Sequence, residues 1–363
     1  MKNFFSEFIS LFNALQKRET AFANAPVIEF EKKLANYLDV NHVTSVASGT
    51  DALILSLKAL DIGPGNEVII PAVSAFSTAG AVKWIGAVPV FVDVKLADFT
   101  INPALVESAI TPKTKAIIPV HLNGIPADME KISTIAKRFS LFVIEDAAQA
   151  IGTKYKEKSV GSYGDLACLS FNHTKILGTY SGGAIITNNP VLARKCSILS
   201  RYGAASWKEL HLNHPFAGIA SSLSPLHAAL LTVQLGELEN NIRKRQEYFH
   251  TYAELLQNVG DITHLKVPEC SSINGYRYPL LTKHRNELLE TLQKENIAAR
   301  SDHKVPLPFF KSLNNYHKVG DFPVAEQIAE EGLFLPTHPS IPSHVIMTAS
   351  RVISNFFKNP PSR

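Results

Sequence analysis

Short apolar runs without polar alternation recur from residue 43 onward, and stretches of helical periodicity separate them. "HVTSVAS" leads into "TDALILSLKAL"; "EVIIP", "AVPVFVDV", "AIIPVHL", "LFVIED", "ACLSF" and "GAIITN" follow in turn. A strand apolar on both faces must be covered on both, which a largely parallel sheet between two layers of helices provides. The pattern predicts an α/β fold. Near Leu230 the texture changes to a long charged helical stretch, "LLTVQLGELENNIRKRQEYFHTYAELLQ", and a smaller α+β region runs on from "YRYPLLT". The expected organisation is an N-terminal helix and large domain over residues 1–239, then a small C-terminal domain over residues 240–363.

The chain of 363 residues has a net charge of +4 spread along its length, so no basic run or patch argues for nucleic acid. The same mild excess suits an anionic small substrate. Cys168, Cys196 and Cys270 are few, odd in number and lack a CxxC pair, which argues against a disulfide framework or a metal site and for a reducing cytoplasm. The first 25 residues have a basic start and a small-residue end, as a leader would. But Glu7 interrupts the apolar part, and Phe4, Phe5, Phe8, Phe12 and Leu15 recur at helical spacing. We read an amphipathic helix packed on the body of the protein, and no run long enough to span a membrane.

Three stretches carry the chemistry. "SFNHTKILGTYSGGAIITN" sets Lys175 between an apolar strand and a glycine pair. Alone it reads as a loop lysine; the sharper reading is an amine desolvated so that it can form a Schiff base. "LFVIEDAAQA" ends a buried strand in two acids, at the carboxyl end where ligands collect in α/β sheets. Asp146 there is either the cap of a following helix or a carboxylate set against the pyridine nitrogen of pyridoxal phosphate, with Gln149 a helical turn further on. "ASGTDALILSLKAL" opens a helix directly after a strand. Its first amides, at Gly49 and Thr50, suit a phosphate as well as ordinary capping, and Ser170 offers another hydroxyl five residues before Lys175.

The order "SGTDAL", "GPGNEVIIPA", "GAVPVFVDV", "PVHLNGIPADM", "VIEDAAQAIG", "GSYGDLACLSF…TK" and "SGGAI" resembles the DegT/DnrJ/EryC1/StrS family, from about Val27 to residue 341. The resemblance implies a fold-type I pyridoxal-phosphate-dependent transferase, aspartate aminotransferase-like, acting on nucleotide-linked keto-sugars with an amino-acid donor such as glutamate. It implies a homodimer, and pyridoxamine phosphate as the alternate cofactor form. By the same resemblance Lys175 bonds the cofactor's aldehyde and shuttles protons, and Asp146 partners the pyridine nitrogen. Gln149 contacts the cofactor, and Gly49, Thr50 and Ser170 hold its phosphate.

Four departures from the family pattern stand out. Where an aromatic stacks on the cofactor the chain has Ala75, with Phe76 one place later as the candidate. Ala220 and Ser222 stand where an Asn and an Arg are usual, the Asn reaching the neighbouring subunit's phosphate. Ser181 replaces an acid before the glycine pair, and "DHKVPLP" at residues 302–308 replaces "HYPxPLH". Two other functions compete with amino transfer. A sugar dehydratase relative carries histidine in place of the lysine, which Lys175 argues against although His173 is close by. A regulatory protein that binds the cofactor without turnover is the other.

Overall fold

The computed structural model describes residues 25–205, 214–313 and 317–358; the expected N-terminal helix lies outside the described residues. In chain order the strands are β1 (His42–Val46), β2 (Glu67–Pro71), β3 (Val88–Val92), β4 (Thr114–Ile117) and β5 (Phe142–Asp146). Two short strands, β6 (Lys154–Tyr155) and β7 (Lys158–Ser159), precede β8 (Leu166–Ser170) and β9 (Gly183–Thr187). After them come β10 (Thr263–His264), β11 (Ser271–Ser272), β12 (Tyr278–Leu281) and β13 (Gly332–Leu335). The helices that matter below are α1 (Ala25–Leu38), α2 (Gly49–Ala59), α3 (Phe76–Trp84) and α4 (Met129–Phe139). They are followed by α5 (Pro190–Leu199), α6 (Pro225–Gly236) and α7 (Leu238–Leu255).

Seven strands make one sheet in the order β1-β9-β8-β5-β4-β2-β3. Parallel pairing links β3, β2, β4, β5 and β8, as the doubly apolar runs predict. One strand is reversed: β9 is antiparallel to both β8 and β1. The cause lies in the connection, because residues 171–182 join β8 to β9 without the helical crossover that a parallel return needs. The consequence bears on function. β1, β5 and β8 all end at the same edge of the sheet, and β9 begins there, with Gly183 paired to both Val46 and Ser170.

Side-chain alternation splits the core between the two faces of the sheet. Val68 and Ile70 enter one apolar cluster while Ile69 enters the other, and Cys168 is likewise separated from Ala167 and Leu169. Helix α4 shows how local sequence builds the cover. Asp128 caps it by accepting from the Lys131 N–H at 3.2 Å, Met129, Ile132, Ile135 and Ala136 form its buried stripe, and Ser140 closes it in the left-handed region at φ 54°. Phe171, 1% exposed, meets Phe30 of α1 edge to face at 5.4 Å. Emptying such a site costs about 3–5 kcal/mol, and this one anchors the start of the loop that carries Lys175.

The expected long charged helix is two helices. Gly236 ends α6 and α7 starts at Leu238, with Glu237 between them at φ −100°, ψ 0°; glycine holds a helix weakly enough for the chain to turn there. Beyond α7, β12 pairs antiparallel with β10 and β13 in a three-stranded sheet. One apolar cluster continues from the large sheet into this part through Tyr252, Tyr278 and Leu280. The pairing of β11 with β6 then brings the chain back over the large sheet, where Asn274 Nδ2 donates to the carbonyls of Gln149 and Ile151, both at 2.9 Å.

Candidate active site

The sheet edge where β1, β5 and β8 end is a cavity of about 670 Å³ measured out to open solvent. Its wall includes Gly49, Thr50, Asp146, Gln149, Ser170 and Lys175. Six of the seven candidates read from the sequence are therefore brought together, although up to 126 positions separate them in the chain (175 minus 49).

Helix α2 opens one side. Ser48 is extended at φ −159° and its Oγ accepts from the Asp51 N–H at 3.0 Å. That leaves the N–H groups of Gly49 and Thr50 outside the helix's own bonding, at its positive end. Gly49 is required by contact: a Cβ there would lie 2.8 Å from the Ser170 Cβ. Gly183 is required for the same reason, since its Cβ would meet the Ser48 carbonyl oxygen at 2.4 Å. Ser221 braces this entrance; its buried Oγ donates to Asp51 Oδ2 at 2.8 Å and accepts from the Ala47 N–H at 3.1 Å. It lies between the two departing positions Ala220 and Ser222.

Asp146 ends β5 and is 4% exposed. Its Oδ2 accepts from Thr78 Oγ1 at 2.8 Å and its Oδ1 from the Ala148 N–H at 3.2 Å. Thr78 is held in turn by Ser74, their hydroxyls 2.8 Å apart. No helix follows Asp146; the next residues form a turn closed by the Ala150 N–H to the Ala147 carbonyl at 2.9 Å. Gln149 thus reaches the cavity from a turn rather than from a helix, with Oε1 accepting the Asn123 N–H at 2.7 Å.

Lys175 sits half-buried on the β8–β9 connection. Asn172 shapes that loop: its Oδ1 accepts from the N–H and the hydroxyl of Thr174, both at 3.1 Å, and its carbonyl accepts the Lys175 N–H at 2.8 Å. The far end is pinned by Gln234 of α6, which exchanges two hydrogen bonds with the Gly178 backbone. Lys175 Nζ lies 5.7 Å from the centre of the Tyr276 ring. His303 faces the same region. Burial, with the charges of Arg277 and Lys175, pulls its imidazole down to about 4 against a hydrogen bond to the Ser74 backbone.

Phe76 is the candidate left out. It is the first residue of α3, 47% exposed, and its ring packs at 5.7 Å from that of Phe310, in the space that Gly80 leaves by lacking a Cβ. From this stretch Ser74, Ala75 and Ser77 line the cavity instead. Sequence reasoning missed Ser74, Thr78, Ser221 and His303. Thr78 and Ser221 are small hydroxyl residues whose partners lie far off in the chain, Ser74 enters only through Thr78 four positions on, and His303 was visible only as a member of an altered segment.

The residues fit pyridoxal phosphate. The cavity offers a primary amine, a buried carboxylate and a helix N-terminus with hydroxyls, groups whose chemistry suits an aldehyde, a pyridine nitrogen and a phosphate. Fold and site together define a fold-type I pyridoxal-phosphate-dependent transferase.

The sequence matches the DegT/DnrJ/EryC1/StrS aminotransferase family over residues 6–354, and the chain belongs to that family. It is 40% identical over 343 residues to the pleiotropic regulatory protein of Geobacillus stearothermophilus, covering 92% of this chain and 90% of the relative. It is 38% identical over 330 residues to the UDP-N-acetyl-3-dehydro-alpha-D-glucosamine 3-aminotransferase of Acidithiobacillus ferrooxidans, covering 89% and 86%. Among solved structures, S. venezuelae DesV in complex with a ketimine intermediate superposes with a TM-score of 0.88 at 31% identity, covering 96% of this chain and 97% of DesV. Among the described residues no group of His, Cys, Asp and Glu is arranged to hold a metal ion, and no helix is long and apolar enough to cross a membrane.

Proposed function

We propose that this chain moves an amino group from an amino acid, glutamate, to the ketone of a nucleotide-linked sugar in amino-sugar biosynthesis. The observation that carries the reading is the convergence of Lys175, Asp146 and the start of α2 on one cavity. The A. ferrooxidans relative, named as an aminotransferase of a UDP-linked dehydro-sugar, supports the substrate class.

Bound pyridoxal phosphate supplies an electron sink for the carbon that bears the amine. Lys175 Nζ would hold the cofactor's aldehyde and, when released, would carry a proton as base and then acid. Asp146, fixed at both oxygens, holds a proton at the pyridine nitrogen. The amides of Gly49 and Thr50 with Ser170 Oγ bind the phosphate. Gln149 has its oxygen committed to Asn123, so its amide N–H groups are the end left for the cofactor. Phe76 has no part in this assignment. The working unit is a homodimer in the cytoplasm, with Ala220 leaving the phosphate to contacts within one subunit.

The test is borohydride reduction of the cofactor-loaded protein followed by peptide mapping. The pyridoxyl group is expected on Lys175; a label on another lysine, or none, overturns the reading. One observation favours a regulatory alternative, the name of the G. stearothermophilus relative.

A further inference from the structure

A second cleft opens beyond Tyr276. It is lined by His173, Arg245, Tyr276, Arg277, Arg300 and His338, among others, and none of its lining residues is acidic. Arg245 is 4% exposed, yet no carboxylate pairs with it among the described residues. Its one hydrogen bond runs from Nη1 to the Tyr276 carbonyl at 3.4 Å, and its buried Nε has no partner. Burial pulls this guanidinium down to about 10, so it is still charged at neutral pH. Arg277 is bonded to Asp302 and lies over the Tyr276 ring at 5.0 Å; Arg300 is exposed at the rim. A buried charge without a counter-charge is costly, and a protein rarely keeps one without use for it. Tyr276 connects this cleft to the first, because its ring faces Lys175 Nζ while its carbonyl holds Arg245.

We propose that this cleft is an oxyanion subsite, where Arg245, Arg300 and Arg277 receive a carboxylate or phosphate of the molecule that reacts at Lys175. The inference rests on the aminotransferase reading for the identity of that molecule. Two sources share the chemistry: the distal carboxylate of a dicarboxylic amino donor, and the diphosphate of the sugar nucleotide. Arg245 at the bottom gives directional N–H donors matched to such a group, and Arg300 adds attraction at the mouth.

The test is calorimetric titration of the cofactor-saturated full chain with glutarate and, separately, inorganic pyrophosphate, for wild type, Arg245→Met and Arg300→Ala. At least one probe is expected to bind wild type and to lose about 10-fold or more in affinity in both variants, the worth of one charged hydrogen bond. Loss confined to glutarate assigns the donor, and loss confined to pyrophosphate the acceptor. Arg245→Met is further expected to melt no lower than wild type, because it removes an unpaired buried charge at similar volume. Arg300→Ala, on an exposed residue, reads the same binding if Arg245→Met fails to fold. Equal affinity of wild type and variants for both probes, or no binding by wild type, overturns the subsite. Borohydride labelling of Lys175 is independent of all these titrations, so failure of the subsite and failure of the aminotransferase reading are separately visible.

Discussion

Thr78 Oγ1 donates to Asp146 Oδ2 at 2.8 Å, from the first turn of α3 to the last residue of β5. With the Ala148 N–H on the other oxygen, the carboxylate is fixed in its plane before any ligand arrives. Ser74 extends the chain of hydroxyls. The aspartate is therefore tied to the segment after β2.

Replacing Asp146 by Asn is expected to retain cofactor and to lower turnover by about 100-fold or more, the scale for removing one contact to a charge that matters in the transition state. Thr78→Val, which removes only the orienting donor, is expected to cost roughly 10-fold. Steady-state rates beside cofactor absorbance check both. Wild-type rates in Asp146→Asn would reduce the carboxylate to the cap of a turn.

A second prediction concerns the tight contact between Gly49 and Ser170, where the phosphate is proposed to bind. Gly49→Ala puts a Cβ 2.8 Å from that of Ser170, and overpacking of this kind costs about 1–3 kcal/mol. Adding Ser170→Gly is expected to restore the denaturation midpoint and not cofactor retention, because the hydroxyl is gone. Retention restored along with stability would remove Ser170 from the phosphate.

Glu145, the neighbour of Asp146, is fully buried and takes four donors. Oε1 accepts the N–H groups of Tyr163 and Gly164, both at 2.7 Å, and Oε2 accepts from the Gly161 N–H at 2.7 Å and from His121 Nε2 at 3.0 Å. Burial pushes this carboxyl up, but His121 and the Gly161 and Gly164 amides outweigh it and hold the group below its usual 4.5. Its folded value being depressed, its contribution to stability is complete above about 4.5 and disappears as pH falls through the folded value. Glu145→Gln is expected to lose on the order of 3 kcal/mol at neutral pH and to unfold with a flatter pH dependence below 4.5. Denaturant melts from pH 3 to 7 measure this, and identical pH slopes for variant and wild type would contradict it.

The large sheet was legible because its strands are apolar on both faces, and Lys175, Asp146 and the start of α2 were legible because each lies at or just beyond the end of such a strand. What stayed hidden depends on partners distant in the chain. Nothing local tells that Thr78 meets Asp146, 68 positions away, or that Ser221 reaches back 170 positions to Asp51. The reversal of β9 was written in the missing helix between Ser170 and Gly183, a signal that apolar content alone conceals. Phe76 was chosen by its place in a motif, and the direction of its ring depends on Phe310 and Gly80, which the motif does not contain.

His303 provides a second pH prediction, with the same sign as that of Glu145 but in a higher pH window. Its folded value of about 4 lies below the ordinary 6.5, chiefly through burial and then the charge of Arg277. Between these values the unfolded chain binds the proton and the folded chain does not, so stability rises with pH across that window. His303→Gln is expected to lose less stability than wild type between pH 7 and pH 5. An imidazole signal titrating near 6.5 in the folded protein would show that the ring is neither buried nor crowded by positive charge.

The last prediction separates the three functions. Lys175 and Asp146 on one cavity wall are what a donor half-reaction requires, so glutamate alone is expected to bleach the coloured cofactor band with no sugar present. A keto-sugar nucleotide that fits is then expected to bring the colour back and leave as an amino sugar. A dehydratase would begin from the pyridoxamine form and release a deoxygenated keto-sugar without aminating it, a reaction for which a lysine at this position is a liability. A regulatory binder would hold the cofactor and show neither change. Lys175→Ala, which keeps the cavity but removes the proton carrier, is expected to bind cofactor and to stop the bleaching altogether. Stopped-flow absorbance of wild type and Lys175→Ala with glutamate decides the matter: a band that persists in wild type across a broad screen of amino donors would exclude amino transfer, and bleaching that survives in Lys175→Ala would move the proton transfer to another group.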